Sequence, residues 1–115
     1  MIKNVILLLF MCVFSFGVSQ NERKIAREGN KYYKDSLFLD SEVYYRKSLS
    51  KNNSFDEVKF NLSDALFKQN RHDESISLLN EIISSSSDSI LKSESYYNLG
   101  NNFLKQQKLE QAIDA

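Results

Sequence analysis

Ser93–Ala115 reads SESYYNLGNNFLKQQKLEQAIDA, and two earlier stretches fall into register with it. Glu22–Phe55 is ERKIAREGNKYYKDSLFLDSEVYYRKSLSKNNSF, and Asp56–Lys92 is DEVKFNLSDALFKQNRHDESISLLNEIISSSSDSILK. The first two starts are 34 residues apart and the third follows 37 later, with the surplus in the Ser-rich stretch Ser84–Ser89. The eighth position is small (Gly29, Ser63, Gly100) and the eleventh large and apolar (Tyr32, Leu66, Phe103). The twentieth is small again (Ser41, Ser75, Ala112), the twenty-fourth large (Tyr45, Leu79), and Leu49 and Ile83 share the twenty-eighth. Small residues opposite large ones at fixed helical offsets let two antiparallel helices approach closely and interlock.

Each unit divides into two helical halves. Tyr96, Leu99 and Phe103 follow i, i+3, i+7, and Leu62 with Leu66 is an i, i+4 pair. Ile76, Leu79, Ile82 and Ile83 mark a similar face in the second half of the second unit. The halves are joined by short polar links, Asp35-Ser36, Asn70-Arg71 and Gln106-Gln107-Lys108, and links this short permit only antiparallel neighbours. The spacing predicts helices near 22–35, 38–51, 56–69, 73–84, 90–106 and from 109 onward, with a loop over 84–89. Asp56 and Asp88 or Ser89 are the expected N-caps. The chain has no Pro and only three Gly, so few breakers oppose an all-α fold.

The repeat resembles the tetratricopeptide repeat (TPR), whose signature is W-x2-L-G-x2-Y, then A-x3-F, with a later Pro, at a 34-residue period. Tyr96-Tyr97-Asn98-Leu99-Gly100-Asn101-Asn102-Phe103 is similar to its first half, with Tyr for Trp and Phe for Tyr. Leu109-Glu110-Gln111-Ala112-Ile113 resembles the opening of its second helix. Tyr44-Tyr45-Arg46-Lys47-Ser48-Leu49 resembles that helix's end, with Ser48 where Ala is usual. Lys59 stands at the signature Trp, Glu28 at the Leu and Asn53 at the Pro. The resemblance implies a TPR-type α-solenoid of antiparallel helix pairs in a right-handed superhelix. Its units would be 22–55, 56–92 and a truncated 93–115. Stacked units share one core, which no single helix pair can supply alone.

The resemblance also implies a concave face lined by the first helix of each unit. The candidate peptide-groove residues are Asn30, Tyr33, Lys34, Phe60, Asn61, Asp64, Lys68, Tyr97, Asn98, Asn101 and Lys105. Asn offers both a donor and an acceptor to an extended peptide backbone. The row Lys34, Lys68, Lys105 could draw a carboxylate or an acidic segment, although exposed Lys is usually only solvated. A known TPR subset clamps C-terminal carboxylates with Lys, Asn and Arg. Asn30 and Asn61 match it, but Ala26, Glu94 and Asn98 stand where it needs bases, so a clamp of that kind is not expected.

Residues 1–19, MIKNVILLLFMCVFSFGVS, read as an address. Lys3 precedes an apolar stretch from Val5 to Phe16, and Gly17 and Ser19 fit a cleavage site. The stretch is shorter than the ~20 residues of a spanning helix. A cleaved signal peptide is expected; left uncleaved, it would be the chain's membrane contact. Cys12 is the sole cysteine and lacks the small residues a lipidation site wants before it. A chain cleaved near Ser19 has no disulfide, no cysteine nucleophile and no thiolate metal site. The expected location is exported, periplasmic or membrane-associated, in a bacterium. Signal peptide and repeats together are similar to the small exported TPR proteins of the aerotolerance (Bat) systems of Bacteroidetes.

Composition narrows function further. Lys+Arg and Asp+Glu are 15 each in 115 residues, which argues against a basic nucleic-acid binder. Fourteen apolar residues lie in 1–19, and the remainder is about 35% apolar, lean but adequate for a helical domain. His72 is the only histidine, and a metal site wants several converging ligands. Asp73 and Glu74 beside it suit the first turn of a helix. No phosphate loop, HExxH or GxSxG occurs. Of the doublets Tyr32-Tyr33, Tyr44-Tyr45 and Tyr96-Tyr97, one member of each is expected in the core. The sequons at Asn52 and Asn61 read as chance. The expectation is a non-enzymatic scaffold that binds a protein or peptide, with no cofactor, metal, nucleic acid or small-molecule substrate. The alternative is the N-terminal regulatory arm of a longer enzyme or sensor whose functional domain lies beyond residue 115. An open array end also leaves self-association available.

Overall fold

The computed structural model describes residues 21–114, and the expected signal peptide at 1–19 lies outside them. Five helices follow one another: α1 over 21–34, α2 Phe38–Lys51, α3 Asp56–Lys68, α4 His72–Ser85 and α5 Ser89–Asp114. Among the described residues there is no strand, and the architecture is all-α. Helix α3 packs on α2, α4 and the first part of α5, and α4 also packs on α5. This is the helix-on-helix stacking of a TPR-type solenoid.

The small-against-large pattern is visible in the packing. Ala26, Tyr45, Val58, Leu62, Ala65 and Leu66 form one buried cluster, with Tyr33, Leu49, Phe55 and Leu78 packed on it. Gly29 lies against the Tyr45 ring so closely that a Cβ there would sit 2.7 Å from two ring carbons. In the next pair, Ser75 Oγ donates 2.8 Å to the Ser63 carbonyl, so two small residues bring α3 and α4 together. Leu79 and Ile82 are fully buried, while Ile76 and Ile83 are half-buried. Lys59 fills the signature Trp slot with its aliphatic stem and carries its ammonium out to Glu81 at 3.5 Å, a snorkelling solution.

Both closed turns use a left-handed residue at the fifteenth position of the unit, Ser36 (φ 61°) and Asn70 (φ 59°). Small polar residues, Asn above all, tolerate that conformation. The link Gln106-Gln107-Lys108 forms no turn, and α5 runs unbroken for 26 residues. This corrects the expected helices at 90–106 and from 109 onward. The fifteenth residue of this unit is Gln107, a good helix former with no such tolerance. Gln106 Nε2 donates 2.9 Å to Asp73 at the start of α4.

Three smaller corrections concern helix ends and tyrosines. Asp56 is the first residue of α3 rather than its cap; Phe55 precedes it with no side-chain cap. The Ser-rich loop is shorter than 84–89, because Ser84 and Ser85 hydroxyls bond back to the Glu81 carbonyl within α4 and Ser89 opens α5. Asp88 is the N-cap, accepting from the Ile90 and Leu91 amides at 3.0 and 3.1 Å. Tyr45 is buried, but Tyr96 and Tyr97 are both exposed, since among the described residues no second helix packs over Tyr96.

Candidate functional site

The first helices of successive units, α1, α3 and α5, are tied by a ladder of side chains. Asn61 Nδ2 donates 3.3 Å to Asn30 Oδ1, which also accepts 2.6 Å from the Tyr45 hydroxyl. One step on, Asn98 Nδ2 donates 2.9 Å to Asp64 Oδ1. In both rungs the ninth residue of one unit accepts from the sixth residue of the next. The third ninth-position residue is Asn101, whose amide makes no hydrogen bond among the described residues.

Between α3 and α5 this face opens into a cleft of about 700 Å³. Tyr33, Phe60, Asp64, Phe67 and Lys68 line one side, and Ser93, Glu94, Tyr97, Asn98, Asn101 and Asn102 line the other. A smaller hollow of about 310 Å³ beside it is bounded by Asn30, Tyr33, Tyr45, Asn61 and Asp64. Asp64 is common to both. Burial pushes its carboxyl up to about 6; Lys68 opposes that rise and Glu94 adds to it. Burial likewise pushes the Tyr45 hydroxyl up to about 12, with Tyr33 and Asp64 adding to the effect, so Tyr45 stays a neutral donor to Asn30.

The floor of the cleft is held by a buried polar chain. Asn102 Nδ2 donates to Ser75 Oγ at 3.0 Å and to the Asn98 carbonyl at 3.1 Å, which fixes which end of the amide is oxygen. Its Oδ1 lies 3.0 Å from His72 Nδ1, so that nitrogen carries the proton. His72 is buried, edge-on to Phe67 with centroids 5.3 Å apart. Among the described residues its Nε2 has no partner. His72 therefore belongs to the junction of α3, α4 and α5. Among the described residues no group of three His, Cys, Asp or Glu could hold a metal ion.

Away from the cleft, Glu42 is nearly buried on α2. It accepts from Arg46 Nε at 2.8 Å, from Gln69 Nε2 at 3.1 Å and from Arg71. Burial alone would raise its pKa, but the hydrogen bonds from Arg46, Gln69 and Arg71 outweigh burial and hold it below the usual range. Glu74 bridges the two arginines at 3.2 and 2.8 Å. The cluster joins the first helix pair to the second.

Residues 56–89 and 93–115 match the tetratricopeptide repeat family model. These two stretches are tetratricopeptide repeats. Residues 22–55 lie outside the matched segments, although α1 and α2 pack as a pair there. No curated protein matches the chain. Tetratricopeptide repeats generally mediate protein–protein interactions.

Of the expected groove residues in and beside these repeats, Tyr33, Phe60, Asp64, Lys68, Tyr97, Asn98 and Asn101 line the cleft, and Asn30 and Asn61 border the hollow beside it. Lys34 and Lys105 are exposed and line neither, so the row with Lys68 does not converge. The asparagines differ from the expectation too: Asn30, Asn61 and Asn98 spend side-chain groups on the inter-repeat ladder. Ser93, Glu94 and Asn102 also line the cleft. They lie at the first, second and tenth positions of the third repeat. Glu94 had a signal in the sequence, because it stands at one of the positions where the carboxylate clamp needs a base.

Proposed function

We propose that the chain is an exported, non-catalytic scaffold that binds a peptide segment of another protein on its concave face. The observation that carries this reading is the cleft between α3 and α5, where two successive repeats present aromatic, amide and carboxylate groups to one solvent-open space. Clefts of this size that combine apolar walls with placed polar groups are where ligands are bound. Export rests on the pattern of residues 1–19, and the likeness to exported TPR proteins of Bat systems belongs to the same proposal.

Phage-displayed peptides selected against the full chain provide the test. The variant carrying Asn61→Ala and Asn101→Ala should lose the selected peptides while keeping its helical circular dichroism. The control Lys47→Ala, at an exposed position on α2 that lines neither concave cavity, should keep them. Equal capture by the concave variant would remove the cleft as the binding site.

A further inference from the structure

Two acids drawn at least partly out of water, Glu42 and Asp64, are treated differently. Glu42 is met by two arginines and a glutamine. Asp64 receives one amide, from Asn98, on Oδ1, and its Oδ2 takes no hydrogen bond among the described residues. Among the described residues no lysine or arginine nitrogen lies within ion-pair distance of it, and Lys68, four residues on along α3, forms no ion pair. A carboxylate drawn out of water without a cation is costly. The rise of its pKa to about 6 expresses that cost.

The surroundings favour one sign of guest. Tyr33, Phe60, Phe67 and Tyr97 line the same cleft, and aromatic rings attract cations through their quadrupoles. Glu94, on the opposite wall, adds a second negative charge. A carboxylate entering here meets Asp64 and Glu94 with only Lys68 to offset them.

We infer that the cleft between α3 and α5 takes a cationic side chain, a lysine or arginine of the bound peptide, with Asp64 as its counter-ion and the aromatic walls around its stem. This rests on the peptide-binding reading above. The groups facing Asp64 are Tyr33 of α1, Tyr45 of α2, Lys68 of α3, and Glu94 and Tyr97 of α5. Among these groups Glu94 carries the only other carboxyl. Binding of the cation therefore weakens as pH falls through about 6, where Asp64 takes up its proton.

The test uses the full chain and the peptides selected on it, each resynthesised with its lysine or arginine replaced by norleucine or by glutamate. Dissociation constants are read by fluorescence anisotropy at pH 7.5 and pH 5. The selected peptides should carry a basic residue at one place, and norleucine there should weaken binding about tenfold. Asp64→Asn keeps the acceptor for Asn98. It should weaken the basic peptide about tenfold and leave the norleucine peptide unchanged. Glu94→Gln, at an exposed position, should give a smaller loss of the same kind and stands in if Asp64→Asn fails to fold. Lowering the pH should weaken only the basic peptide. Equal binding of norleucine and lysine peptides, or tighter binding of the glutamate peptide, overturns the inference. If that result comes with peptides still lost by the Asn61→Ala, Asn101→Ala variant, the peptide-binding reading stands without it. If no selected peptide depends on the concave variant, the peptide-binding reading itself fails.

Discussion

Helices α3 and α4 turn back on each other through Gln69-Asn70-Arg71, whereas α5 runs straight through the matching Gln106-Gln107-Lys108. The two repeats begin alike, with Leu62 and Leu66 in one answered by Leu99 and Phe103 in the other. In the closed pair Leu66 and Leu79 are wholly buried and Ser63 touches Ser75. On α5, Phe103 is 53% and Leu109 41% exposed, and nothing lies within 4 Å of a Cβ placed on Gly100. The same spacing of small and large residues thus has energetic content only where the turn is made. A single residue, Asn70 or Gln107, marks the difference.

The largest effect expected from this contrast is between matched core truncations. Leu66→Ala should cost about 2–5 kcal/mol in urea unfolding, and Phe103→Ala less than about 0.5 kcal/mol. Similar losses at both sites would mean that α5 is covered as α3 is. Next come the glycines. Gly29→Ala drives a methyl into the Tyr45 ring, which is buried and tethered to Asn30, and should cost about 1–3 kcal/mol. Gly100→Ala should stabilise by up to about 1 kcal/mol, because a mid-helix glycine is replaced with no clash. A destabilising Gly100→Ala would break the comparison.

Two carboxylates on the closed side should give pH responses of opposite sign. Glu42 has its pKa lowered on folding, so its contribution is present at neutral pH and is lost as pH falls below the ordinary carboxylate range. Glu42→Gln should therefore cost about 1 kcal/mol at pH 7 and nothing in strong acid. Asp64 has its pKa raised to about 6, so its protonated form favours the fold and that advantage is lost as pH rises through 6. Asp64→Asn should raise the unfolding midpoint at pH 8 and remove the gain that the wild type shows between pH 8 and pH 5. A small effect is expected at the open link as well. Gln107→Gly should reduce helical ellipticity by a few residues' worth and shift stability by less than about 1 kcal/mol.

Much of this fold was legible from residue spacing. The approach of α1 to α2 at Gly29, and of α3 to α4 at Ser63 and Ser75, follows from small residues recurring at the eighth and twentieth positions. The straightness of α5 was hidden because its signal is an absence: Gln107 lacks the left-handed tolerance of Asn70, while the apolar pattern around it still resembles a second helix. At the cleft, the first-helix positions named Tyr33, Phe60, Asp64 and Tyr97 as groove residues. The pairing of Asn61 with Asn30 and of Asn98 with Asp64 depends on the stagger between units, which no single repeat encodes. The burial of His72 against Asn102 depends on α5 crossing the start of α4. A lone histidine next to Asp73 and Glu74 gives no hint of that.

The central claim is that a partner segment seats in the cleft between α3 and α5. A photo-crosslinking side chain introduced in place of Tyr97, which lines the cleft, and in a second protein in place of Val43, exposed on α2, tests it directly with a selected peptide. The account predicts crosslinked peptide from position 97 and none from position 43. Crosslinking from position 43 alone, or equally from both, would contradict it.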